Sequence, residues 1–328
     1  MKFSLFNLET MKYHLFRSLL LLSLMLAGCS SRGFQLPQPE SPRRTPLKIL
    51  AIGNSWSQDY FAYLPPILSS MNCDWMCTPR ILSLDGATIG NHVEYFNESA
   101  RYEYYCYDYT ENRWCMESLS PRQVLSAEDW DLVVVQQQSS NAPYLETYQE
   151  QLPALMDSIR RYAPQCEVAL VLTAARRDGN WANIPGVWNS ICETVRRVAR
   201  DFSIPTIIPV GTALELAANT ELADSTLGPG LFSSDNLHLQ EGIGRLTAGF
   251  CVAQWLFEYY QPGRVLQMSV AQCPLSPNKG FAMNHKMPHP HGEVLGITPE
   301  NIELAKRCAL SACKSPFELI LAPETGQK

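Results

Sequence analysis

Five short apolar runs, at residues 47–52, 80–84, 131–135, 167–172 and 206–210, recur along this 328-residue chain and constrain its fold more than any other feature. Each is partly β-branched and nearly continuous in hydrophobicity, as strands buried on both faces must be. Helical patterns separate them, at 56–70 (despite Pro65 and Pro66), 88–96, 146–162 and 187–202, and two more follow at 242–259 and from Thr298, as cap, through Cys313. Strand alternating with helix predicts an α/β fold, a three-layer α/β/α sandwich around a central, mostly parallel five-stranded sheet. In such sheets functional groups gather where the strands end.

The strand ends carry the residues that chemistry needs. Gly53-Asn54-Ser55 follows the first run, a glycine-bearing segment at 84–88 containing Gly86 follows the second, and Gln136-Gln137-Gln138 follows the third. Much later, Asp235-Asn236-Leu237-His238 supplies an imidazole with a carboxylate three residues before it. A serine hydroxyl is a weak nucleophile at neutral pH. It needs a histidine to take its proton and a carboxylate to fix the imidazole tautomer. Serine, aspartate, histidine is also the chain order of α/β-hydrolases, but their Gly-x-Ser-x-Gly elbow is missing, because Ser57 stands at the second glycine position. A serine in such a turn also suits a plain helix cap, and Asp-x-x-His is common by chance. The order and the placement are what point to a site.

These residues resemble the SGNH hydrolases, also called GDSL esterases and lipases, over roughly residues 47–260. The resemblance is nearest to a branch of lipid-anchored bacterial members grouped as a domain of unknown function. In that family a Gly-Asp-Ser segment carries the nucleophile and a late Asp-x-x-His carries the other two triad members. The resemblance therefore implies a flavodoxin-like fold and Ser55, Asp235 and His238 as catalytic residues. It further implies an oxyanion site made from the backbone of Ser55 and Gly86 with an amide from Gln136 or Gln138. Two departures stand out. Asn54 replaces the family aspartate, and the block that normally reads Gly-x-Asn-Asp is here 135–141, with Asn141 a further candidate donor.

At the amino terminus a mildly basic segment, 11–17, precedes a leucine-rich run at 18–26 and then Leu26-Ala27-Gly28-Cys29. The run is too short to span a bilayer, and small residues before a cysteine suit signal cleavage. The match is to a bacterial lipoprotein signal, which implies removal of residues 1–28 and acylation of Cys29, with translation starting at Met1 or Met11. Residues 29–46 hold Pro37, Pro39, Pro42 and Pro46 among polar residues and read as a flexible tether, leaving 47–320 as one hydrolase-like domain. The expected location is the bacterial cell envelope, lipid-anchored and at the outer membrane, on its periplasmic or its exposed face. The anchor is then the only membrane contact.

Without residues 1–28 the chain has 23 basic against 31 acidic residues, a net charge of −8, with no basic stripe. Nucleic-acid partners are excluded on that ground. Eleven cysteines include Cys29, and export permits disulfides among the other ten. Cys106 and Cys115 flank a hairpin-like segment. Cys73 and Cys77 lack a second pair at zinc-finger spacing, and the prolines among His285, His289 and His291 suit an exposed loop better than a ligand set. No metal or other cofactor is expected. An insertion near 101–121, with Tyr102, Tyr104, Tyr105, Tyr107, Tyr109 and Trp114, suits either sugar stacking or a packed hairpin.

The favoured reading is a serine esterase acting on small acyl esters, and the resemblance implies O-acetyl groups of carbohydrates foremost. The alternatives are an inactive glycan-binding lipoprotein of the same fold, or a lipase or thioesterase.

Overall fold

The computed structural model describes residues 46–73, 76–111, 113–224, 230–260 and 297–323, all within one compact unit. The expected signal segment, Cys29, all of the tether except Pro46, and the histidines at 285, 289 and 291 lie outside the described residues.

Among the described residues seven strands form one sheet in the order β4-β3-β2-β1-β5-β6-β7. They are β1 (Leu47–Gly53), β2 (Cys77–Ser83), β3 (Glu103–Asp108), β4 (Arg113–Glu117), β5 (Leu132–Val135), β6 (Glu167–Val171) and β7 (Thr206–Ile208). The five expected strands are all present and pair in parallel, β2-β1-β5-β6-β7. Taken by themselves they have the flavodoxin-like order, in which the chain runs outward in both directions from β1. The expected count of five is too low for the whole sheet. The insertion adds an antiparallel hairpin, β3-β4, beyond β2.

That hairpin decides between the two readings of its aromatic residues. Alternate side chains on β3 face opposite ways, so Tyr105 and Tyr107 are buried while Tyr104 and Cys106 are half-exposed. Trp114 is buried as well, stacks edge-on against Tyr107 with 5.3 Å between ring centres, and donates its indole N–H to Ala62 O at 3.1 Å. The densest aromatic group is therefore core and not a sugar platform. Cys106 and Cys115 face each other across the ladder, both as free thiols.

Helices cover both faces. On one side pack α1 (Ser55–Phe61), α2 (Leu64–Ser70), α7 (Val210–Ala218), α8 (Ile243–Tyr260) and α9 (Pro299–Lys314). On the other pack α3 (Ile89–Glu94), α4 (Pro121–Ala127), α5 (Leu145–Tyr162) and α6 (Val187–Asp201). Strand side chains divide between them. Ile49, Ala51 and Val134 join the first core, while their neighbours Leu50, Ile52 and Val133 are equally buried on the other face. The helix expected over 56–70 is broken at Ala62 and Tyr63, and Pro65 and Pro66 fall in the first turn of α2, where a missing N–H costs nothing. Two helices were not anticipated. The chain turns at Pro209 into α7, and α4 opens on a Ser120–Gln123 capping box, a signal present in the sequence. Buried through Phe257, α8 is apolar nearly all round, as a helix inside a core must be. Among the described residues no helix is long and apolar enough to cross a membrane.

Candidate active site

In open α/β sheets ligands bind beyond the carboxyl ends of the strands, at the point where the strand order reverses. Here that point lies between β1 and β5. Ser55 follows β1 and the three glutamines follow β5.

The turn that carries Ser55 is built by its neighbours. Gly53 approaches the chain so closely that a β-carbon there would lie 2.1 Å from Ser57 Oγ and 2.6 Å from Gln136 Oε1, which only glycine avoids. Asn54 caps α1, its Oδ1 accepting the Trp56 N–H at 3.0 Å, while its Nδ2 donates to Ala87 O at 3.1 Å. The second bond ties the Ser55 turn to the Gly86 loop. Ser57, the other serine suited to capping, is buried and donates to Gln136 Oε1 at 2.9 Å. Ser55 Oγ has neither of these duties and lies 2.9 Å from His238 Nε2.

His238 sits in a compact turn between α7 and α8. Phe232 bridges to Leu239, Ser233 N–H donates to His238 O at 2.9 Å, and Asn236 takes a positive φ of 53°, which asparagine tolerates better than most residues. Asp235 accepts on both oxygens. Its Oδ2 lies 2.6 Å from His238 Nδ1, while Oδ1 receives the Ser233 hydroxyl at 2.6 Å and the N–H groups of Leu237 and His238, each at 2.9 Å. Partial burial works against the charge, but the bonds from Ser233, His238 and the two amides outweigh it and hold this carboxyl well below the usual carboxylate range. An ionised Asp235 accepts the Nδ1 proton. Nε2 is thereby left as the acceptor facing the Ser55 hydroxyl.

The candidate oxyanion donors separate. Ser55 occupies the first position of α1, so its N–H lies outside the helical ladder. Gly86 is exposed and has a φ of +64°, a backbone conformation that favours glycine. Gln136 is a correction. It is fully buried, its Oε1 accepting from Asn54 N–H and Ser57 Oγ and its Nε2 donating to Gln137 O at 2.7 Å, so its amide is already committed to holding the turn. Gln137 is committed likewise, receiving the N–H of Ile89 and of Gln138 on Oε1 and donating Nε2 to Thr147. Gln138 differs. It is half-buried, Ser140 Oγ donates to its Oε1, and its Nε2 has no protein partner among the described residues. Asn141 is also partly exposed and closes the turn by donating its N–H to Gln138 O at 2.9 Å.

Two residues that sequence reasoning missed lie directly beneath this site. Asp59, on α1, and Arg245, on α8, form a buried ion pair at 2.9 Å, and Asp59 also receives the Leu239 N–H. The spacing of Asp59 one helical turn after Ser55 is the only signal of it in the sequence.

The parallel strand order and the helices on both faces are those of a flavodoxin-like α/β fold. Within that frame, residues 48–279 match the family model described as "Domain of unknown function (DUF4886)", and the chain belongs to this family. The crystal structure of a DUF4886 family protein from Bacteroides uniformis is similar, with a TM-score of 0.64 and 24% identity over 84% of this chain and 97% of that one. More distant likenesses include a catalytic mutant of an acetylxylan esterase from Geobacillus stearothermophilus (TM-score 0.42, 12% identity, 68% of this chain and 97% of that one). A gut microbial diltiazem-metabolizing enzyme is a further one (TM-score 0.42, 13% identity, 70% and 49%). No curated protein matches.

Proposed function

We propose that this protein is an exported, lipid-anchored serine esterase that removes small acyl groups, O-acetyl foremost, from carbohydrates. The observation that carries the reading is the unbroken chain from Ser55 Oγ through His238 to Asp235. In the proposed reaction Ser55 Oγ attacks the ester carbonyl as its proton passes to His238 Nε2, and the imidazolium returns that proton to the departing alcohol. Water, deprotonated by the same nitrogen, then hydrolyses the acyl-enzyme. The developing oxyanion would be met by the N–H groups of Ser55 and Gly86 and by Gln138 Nε2.

The carbohydrate part of the reading rests on the resemblance to SGNH hydrolases and on aromatic groups other than those first considered. Tyr144, 47% exposed, lies on the loop after β5, and Trp181, half-exposed, lies on the loop after β6. Both loops leave the strand ends that carry the site, and aromatic faces there suit a sugar ring.

Purified protein is expected to hydrolyse a small aryl acetate, and Ser55→Ala and His238→Ala are each expected to slow it on the order of 10⁴-fold or more, since triad members act as a unit. Equal rates in wild type and Ser55→Ala would sink the assignment. Aryl esters from acetyl to palmitoyl and acetylated polysaccharides complete the test. Faster turnover of long chains with no acetate released would make it a lipase, and glycan binding without turnover would make it a binding protein.

A further inference from the structure

Asp59 is completely buried, and both of its carboxylate oxygens are used. Oδ2 accepts the N–H of Leu239, the residue after His238, at 2.9 Å, and Oδ1 accepts Arg245 Nε–H at 2.9 Å. Burying a carboxylate is expensive, and one partner rarely compensates it. Here a guanidinium that stays charged and an amide N–H share the task. Burial pushes the carboxyl above its usual range, and Arg245, the Leu239 amide and the nearby His238 offset this only in part. Donors on both oxygens fit the ionised form.

A pair of this kind adds little net stability over a well-packed apolar pair of the same volume. What it does add is a fixed geometry, and its location gives that geometry a use. Asp59 lies four residues after Ser55 on α1, so both side chains stand on one rigid helical turn. The far end of the clamp is the turn bearing His238. Arg245, in the first turn of α8, extends the attachment by donating its own N–H to Gln240 O at 3.0 Å, and Tyr63 donates its hydroxyl to Glu241 O. The helix that holds the nucleophile thereby also grips the loop that holds the base.

We infer that Asp59 is a positioning residue, which sets the Ser55–His238 separation by fixing the Leu239 amide and Arg245 to the helix that carries Ser55. The inference rests on the esterase reading for its catalytic consequence, though not for its geometry. Asp59 touches no reacting atom. Its loss lets the imidazole drift, and a misplacement of about 1 Å at such a pair costs on the order of 100-fold in rate.

The test compares wild type, Asp59→Asn and Arg245→Lys as full-length chains, by aryl acetate kinetics, thermal unfolding and hydrogen exchange of peptides covering residues 231–242. In Asp59→Asn one acceptor oxygen becomes an amide donor; the remaining oxygen is drawn to the Arg245 guanidinium, so the new N–H groups face the Leu239 amide. The expected result is a kcat lower by roughly 10–100-fold with KM within about threefold of wild type, together with faster exchange at the Leu239 amide in a protein that still unfolds cooperatively. Arg245→Lys, which keeps the charge and removes the Nε–H bond, is expected to move kcat and exchange in the same direction and serves if the first variant does not fold. A kcat within about twofold of wild type in either folded variant would overturn the inference. Should wild type and Ser55→Ala prove equally inert, the esterase reading fails and exchange alone decides, unchanged protection at Leu239 then overturning the clamp.

Discussion

In the sequence, Asn54 reads as a charge lost from the family's Gly-Asp-Ser. Structurally it is a donor gained, because its Nδ2 binds Ala87 O and joins two loops of the site, which an aspartate could not do. The glutamines of 136–138 show the same logic of occupied and available groups. Identical side chains have different uses, since Gln136 and Gln137 are tied to the protein by both ends of the amide whereas, among the described residues, Gln138 is anchored by its oxygen alone. If Gln138 Nε2 meets the oxyanion, Gln138→Ala is expected to lower kcat by roughly 10²–10³-fold with little change in thermal midpoint. Gln136→Ala is expected to lower the thermal midpoint itself, because it leaves buried donors unpaired. Steady-state kinetics and thermal denaturation of both variants check this. Wild-type kcat in Gln138→Ala would move the role to Asn141.

At the scale of elements, α3 carries a titratable group in an unusual place. His92 is fully buried against Tyr102, its Nδ1 3.1 Å from the tyrosine hydroxyl and its Nε2 without a hydrogen bond among the described residues. Burial lowers its pKa from 6.5 to about 4. The folded protein then refuses a proton that the unfolded chain accepts, so stability is complete above pH 6.5 and falls as pH drops from 6.5 towards 4. A shift of that size corresponds to a loss of up to about 3 kcal/mol across the window. His92→Gln can keep the bond to Tyr102 without the titration. Urea unfolding at pH 7 and pH 4.5 should show a smaller acid loss in the variant than in wild type, and equal losses would remove His92 as the cause. The elements also show where local pattern is outweighed. Periodicity over 56–70 gives one helix, but the entry of the chain into α2 requires the break at Ala62 and Tyr63, which the two prolines accept without cost.

For the whole molecule, the proposed anchor at Cys29 lies outside the described residues. If Cys29 is acylated after cleavage, Cys29→Ser is expected to abolish lipid labelling and release the protein from the membrane fraction, or to leave uncleaved precursor. Mass spectrometry and fractionation of cells expressing both forms read this out. An intact, unmodified amino terminus in the wild type would refute it.

Much of the fold was legible locally. Five both-faces-apolar runs spaced by amphipathic helices allow little besides a covered parallel sheet, and Ser55, Asp235 and His238 stand out because nucleophile, carboxylate and imidazole must come in a form that a turn can present. Tertiary structure alone decided the rest. Whether the tyrosines of 101–121 stack on ligand or pack in the core depends on which way a hairpin's pleat faces the sheet, and β3 turns Tyr105 and Tyr107 inward. Which glutamine is left with a free amide depends on partners as distant in sequence as Asn54 and Ile89. Asp59 and Arg245 are 186 residues apart, so no periodicity or motif could pair them. Local sequence determines which backbone shapes are cheap, whereas the pairing of buried polar groups is settled only when distant segments exclude water together.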